Sequence, residues 1–271
     1  MPVINTNVAA IKARSNFDRV QREMDQSIAR LSSGKRINSA HDDAAGQAIG
    51  GRLESQVRGL TAQLRNARDA QAMVDTTEGA LQEVTSILQR MRELAVQSSS
   101  GTASAADRGY LDTEVEALSA EIDAIAANTT FNEKALLTDT QYSFFADINI
   151  TGTAIITTAI SATNEGLGVT VAAVEIGTTA IVAIAAIDEA ISSVADDRAH
   201  MGAVSNRLDH IIDNLTNVVA NTVAAQSRIQ DADYAVETTA LTRATILQQA
   251  ATSMIAQANA NKNSVMTLIQ G

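Results

Sequence analysis

The chain has 271 residues, 45% of them hydrophobic, with one proline, no cysteine, no tryptophan and only 3% aromatic side chains. Without cysteine there is no disulfide framework, thiolate metal site or thiol nucleophile, and a net charge of −11 excludes the cationic surplus that non-specific nucleic-acid binding needs. A proline inside a helix costs about 3 kcal/mol; beyond Pro2 none interrupts the chain, so long helices are expected.

Charge is unevenly spread. Residues 1–60 carry nine basic and six acidic groups, residues 61–229 nine and 22, and residues 230–271 two and three. Near-neutral ends rich in small residues suit a packed, water-poor environment, and an acidic middle suits a solvent-facing surface. The opening MPVINTNVAA has neither the basic stretch nor the apolar core of a secretory signal. The longest apolar run, residues 180–187, falls far short of the roughly 20 residues needed to cross a bilayer, so no membrane association is expected.

In chain order, Ala10, Phe17, Met24 and Leu31 recur every seven positions, with Ala13 and Val20 on the alternate line of a coiled-coil seam. This predicts a first amphipathic helix over about residues 7–31. The Ser-, Gly-, Asn- and Asp-rich stretch 32–47 reads as a break. Leu60, Ala67, Val74, Leu81, Leu88 and Ala95 then hold the same period over five heptads, and SSSGTAS at 98–104 ends that helix. Leu111, Val115, Leu118, Ile122 and Ile125 mark a third helix, antiparallel to the second across the Ser/Gly turn.

Over about residues 131–180 Thr, Ile, Val, Gly and Asn dominate, which predicts short strands and hairpin turns. Thr-rich exposed segments also suit O-linked sugars, a composition that strands share. The period of seven returns at Ile187, Val194, Met201, Leu208 and Leu215. A last helix carries Ala244, Ala251, Ala258 and Val265 on one line and Leu247, Met254, Asn261 and Leu268 on the other. The expected fold is mainly α: a long antiparallel helical bundle or coiled coil with a small β-hairpin region in mid-chain. Residues 1–55 and 228–271 would form a terminal coiled-coil domain, and residues 56–227 a helical domain carrying the β region.

Pairing the first helix with the last closes a loop of roughly 200 residues, which costs about 4–5 kcal/mol. Two thin, alanine-rich helices offset this poorly alone, so the ends are expected to fold when neighbouring subunits add apolar contact. No catalytic or metal residues are expected and no cofactor. The three histidines are scattered, and His41-Asp42-Asp43 reads as a solvated turn whose aspartates cap the next helix rather than as a metal site. Gly46, Gly50 and Gly51 lack the P-loop lysine and its Ser or Thr.

Five segments carry a family resemblance: VINTNVAAIKARSNF (3–17), LSSGKRINSAHDDAAGQAIG (31–50), QRMRELAVQ (89–97), SRIQDADYA (227–235) and ILQQAATSMIAQAN (246–259). In that order they resemble bacterial flagellin, in a short form with only the two inner domains. The resemblance implies a structural, non-enzymatic and extracellular subunit, exported by the flagellar secretion apparatus without a cleaved signal and self-assembling into a helical tube that acts as the motility propeller. Implied partners are neighbouring flagellin subunits, the flagellar cap, hook-junction proteins and an export chaperone.

The residues expected to build the filament core are Phe17, Met24, Leu31, Leu247, Met254 and Leu268. The resemblance also implies a host Toll-like receptor surface at Gln89, Arg90, Leu94 and Glu114. A hook–filament junction protein would share the terminal seams, whereas a glycan-binding adhesin would need a groove rich in aromatics.

Overall fold

The computed structural model describes residues 6–139, 141–144, 155–156, 160–163, 165–167 and 179–270, with backbone alone at 143–144, 155–156, 179–180 and 262–270. Five helices, α1 (Val8–Ser33), α2 (Ala44–Ser98), α3 (Ala105–Asn128), α4 (Thr179–Gln230) and α5 (Tyr234–Gln270), account for most of it. Four two-residue strands, β1 (Thr130–Phe131), β2 (Lys134–Ala135), β3 (Ser143–Phe144) and β4 (Ile155–Ile156), lie between α3 and α4. The mainly α fold with a mid-chain hairpin agrees with the sequence reading. Most of the Thr-rich stretch, with its prospective sugar sites, lies outside the described residues.

Local chemistry sets the helix ends. The Asn7 side chain accepts from the Ala10 amide at 3.1 Å to start α1, which ends at Gly34 in the left-handed region, φ +68°. Asp43 accepts from the Gly46 amide at 2.9 Å, so α2 begins at Ala44, inside the stretch expected to be a break. Asp42 accepts from the Asn38 and Ser39 amides at 3.1 and 3.0 Å; these bonds, with one from Gln26, hold its carboxyl below the usual carboxylate range. The expected aspartate-capped turn is thus present. Ser104 and Asp107 form a reciprocal capping box at the start of α3. Asp233 does the same work for α5, accepting from Ala235 at 2.8 Å.

The described chain divides into two compact units, residues 1–57 with 220–271, and residues 58–219. In the second, the core runs through α2 at Ala67, Ala70, Val74, Leu81, Val84, Leu88, Met91 and Ala95, which with buried Thr77 make an alternation of three and four residues that keeps one seam facing inward. Ala183, Ile187, Ala190, Val194, Met201, Val204 and Leu208 of α4 complete it. Polar contacts at the edges of this seam, Gln71 to Asp209, Glu78 to Arg198 and Arg92 to Asp188, pair ascending with descending numbers, so α2 and α4 are antiparallel.

The β1–β2 hairpin turns on Asn132 and Glu133, both at positive φ (50° and 65°), the geometry of a two-residue turn whose twist matches its strands. Leu136, Leu137, Ile160, Ala162 and Leu167 follow it into the same core.

Candidate assembly surfaces

In the terminal unit α1 packs on α5. Asn7 donates to the Ala258 carbonyl at 3.1 Å, Gln248 to Gln21 at 2.5 Å and Arg30 to Glu237 at 3.0 Å, which fixes an antiparallel register. Glu237 is buried and Arg30 largely so; such a pair contributes little net stability but is costly to break by removing one partner. Tyr234 Oη donates to the Leu31 carbonyl at 2.9 Å. Just beyond, the Arg36 amide donates to the Gln230 carbonyl at 2.7 Å, the Arg36 guanidinium to the Ile229 carbonyl at 2.8 Å, and the Ala232 amide to the Gly34 carbonyl at 2.9 Å. The linkers 34–36 and 229–232 are therefore tied backbone to backbone.

The α1 face toward α5 consists of Ala10, Ala13, Phe17, Val20, Met24, Ser27 and Leu31, all buried or half-buried. On α5 the corresponding line is Glu237, Leu241, Ala244, Gln248, Ala251, Ile255 and Ala258. Phe17, Met24 and Leu31 thus sit on the seam. Leu247 and Met254 do not: they lie one residue away from Gln248 and Ile255 and are 43% and 64% exposed. Leu268 has its side chain outside the described residues.

Ile246, beside Leu247, is also exposed, as are Val236 on α5 and Ile11 and Ile28 on α1. Thr238, Thr239, Thr242 and Arg243 line a shallow groove on α5 with Ile246 and Leu247. Among the described residues, Val20, Ile37 and Ala244 are the fully buried hydrophobic side chains of this unit.

On α2, Arg90 pairs with Glu114 of α3 at 2.8 Å and with Glu93 at 3.1 Å. The hydrogen bonds that the guanidinium donates to Glu114, then the one to Glu93, stabilise its charged form and raise its pKa. Gln89 is exposed beside it. Leu94 is only 1% exposed and belongs to the core, so within the subunit it supports this surface from beneath and offers no side chain to a ligand. His41 lies in the turn before α2 and His200 and His210 lie ten residues apart on α4, all exposed, and no group of three potential metal ligands occurs among the described residues. No helix among them is long and apolar enough to cross a membrane.

This geometry defines a class of protein: a helical assembly subunit whose two chain ends form one antiparallel pair and leave apolar side chains facing outward. Residues 4–142 match the bacterial flagellin N-terminal helical region and residues 184–269 the bacterial flagellin C-terminal helical region. The chain is 41% identical to a flagellin of Halalkalibacterium halodurans, over 99% of this chain and all of that one. It is 35% identical to the flagellar filament 33 kDa core protein of Treponema phagedenis, over 99% and 100%.

Among solved structures, Bacillus cereus flagellin is 34% identical with a TM-score of 0.50, covering 60% of this chain and 94% of that one. A putative flagellar hook-associated protein from Vibrio parahaemolyticus, 15% identical, shares the fold with a TM-score of 0.61 over 70% of this chain and all of that one. The chain belongs to the bacterial flagellin family and is a structural, self-assembling subunit of the flagellar filament.

Proposed function

We propose that filament growth buries the outward side chains of the α1–α5 pair between neighbouring copies, so that the terminal helices complete their folding on assembly. The observation that carries this reading is the poverty of the terminal unit's own core, Val20, Ile37 and Ala244, beside exposed Ile11, Ile28, Ile246, Leu247 and Met254. Exposed apolar rows of this kind mark association surfaces. Phe17, Met24 and Leu31 then hold the pair together within a subunit, Leu247 and Met254 join subunits, and Leu268 extends the same line.

In this reading residues 1–55 and 228–271 line the filament core and residues 56–227 form the surrounding shell. The protein's work is mechanical, as part of a propeller outside the cell, with no catalytic step. Delivery would use the flagellar secretion apparatus, with an export chaperone holding the subunit before assembly, and the cap and hook-junction proteins bounding the filament at its ends.

Leu247→Asp tests the assignment, because a carboxylate buried in an apolar contact is strongly unfavourable. Seeded growth followed by electron microscopy should be abolished while the helical circular dichroism signal persists. Unimpaired elongation would sink the assignment.

A host Toll-like receptor is a further partner of the free subunit. The support is the preorganised Arg90–Glu114 pair with Gln89 beside it. Arg90→Glu places three carboxylates together and should weaken receptor binding by roughly tenfold or more, as loss of a charged contact does. Unchanged receptor affinity would remove this surface from consideration.

A further inference from the structure

The chain has no cysteine, so its softest surface nucleophile is thioether sulfur, and the seven methionines are not equally placed. Met73, Met91 and Met201 are 5%, 1% and 2% exposed, inside the core of residues 58–219. Met24 is half-buried on the α1–α5 seam. Met254 stands at 64% exposure on the apolar row with Ile246 and Leu247, two turns of α5 away from them.

From this placement we propose that Met254 is a reversible oxidation site through which peroxide halts filament growth. A sulfur lone pair attacks one oxygen of hydrogen peroxide; the O–O bond breaks and an S–O bond forms. The sulfur loses two electrons, the departing hydroxide takes up the proton of the transferred oxygen, and the products are one sulfoxide and one water that carries both protons of the peroxide. The sulfoxide is polar, an acceptor that an apolar contact between copies cannot satisfy. In a free subunit it remains hydrated and costs nothing, so oxidation leaves the fold intact and acts on joining alone. Inside a filament the same contact would shield the sulfur, making free subunits the sensitive population. The inference rests on the reading of the α5 outer face as an assembly surface.

The test treats full-length free subunit with dilute hydrogen peroxide, maps sulfoxide by peptide mass, and measures elongation from untreated filament seeds. Among the methionines whose side chains are described, Met254 should oxidise first, with Met73, Met91 and Met201 unchanged. Elongation should fall roughly tenfold, the effect expected for one unsatisfied polar group at a contact, and methionine sulfoxide reductase should restore it. Met254→Leu, measured against its own untreated rate, should be insensitive to the same treatment, and untreated Met254→Gln should reproduce the oxidised defect.

Wild type carrying sulfoxide at Met254 and elongating at full rate would overturn the proposal, as would equal peroxide sensitivity in Met254→Leu. Failure of the untreated wild type to extend seeds would instead bring down the assembly reading and this inference with it.

Discussion

Asp197 occupies a position where the heptad calls for an apolar side chain. Its line on α4 is Ala183, Ala190, Asp197, Val204 and Ile211, four members of which pack in or against the core. Desolvation there raises its carboxyl pKa; nearby His200 opposes the shift and Asp196 adds to it. Because folding raises this pKa, the protonated form favours the folded state, and that advantage is lost as pH rises through the folded pKa. At neutral pH the charge is therefore a burden. Asp197→Asn should raise the melting temperature at pH 7, with the gain shrinking toward zero as pH falls through the carboxyl range to below the ordinary value of 3.8. An equal gain at pH 3 and pH 7 would show that charge is not the cause. The sequence could have revealed this position, since the period of seven passes through it, but only by following the second seam line as closely as the first. Leu94 is a second such case: it lies on a parallel line of the same period, Met73, Ala80, Ile87 and Leu94, which widens the α2 seam beside Ala95 and takes it into the core.

At the scale of an element, the α1 seam was fully legible and the α5 seam half so. Ala244, Ala251 and Ala258 repeat every seven residues, but so do Leu247 and Met254 on one flank and Gln248 and Ile255 on the other. Periodicity does not choose between the flanks, and large apolar residues look like core. In the structure Gln248, bonded to Gln21, and Ile255 lie on the half-buried line, and Leu247 and Met254 face outward. The start of α2 lies inside the stretch 32–47, whose Ser, Gly, Asn and Asp composition reads as a break, because the cap expected from its aspartates is supplied by Asp43 and begins the helix at Ala44.

Gly50 and Gly51 make that helix testable. A Cβ at Gly50 would lie 2.1 Å from Gln230 Nε2 and 2.7 Å from Cδ, whereas one at Gly51 would meet nothing within 4 Å. Gly51→Ala should stabilise by about 0.5–1 kcal/mol through helix propensity. Gly50→Ala gains the same propensity but must displace a buried side chain, with a typical overpacking cost of about 1–3 kcal/mol, and should be net destabilising. Denaturant melts showing the same sign for both would disprove the close packing of Gly50 on Gln230.

For the molecule as a whole, the core cluster begins at Ala67 and ends at Leu208, entirely within the unit of residues 58–219. The ends of the chain have helices with correct caps, a consistent register and backbone ties at 34–36 and 229–232, yet few side chains are removed from water. Local stability follows buried apolar contact more than hydrogen-bonded helix, since isolated helices are marginal in water. The free subunit should therefore open at its ends far more often than in its middle. Brief proteolysis of the full-length free subunit should trim both termini and leave a resistant fragment close to residues 58–219, read by intact mass. The same treatment of assembled filament should spare both termini, because neighbours supply the apolar contact that one α1–α5 pair lacks. Free subunits whose termini resist cleavage as well as the middle would show that the pair is already stable alone, and the coupling of terminal folding to assembly would fall.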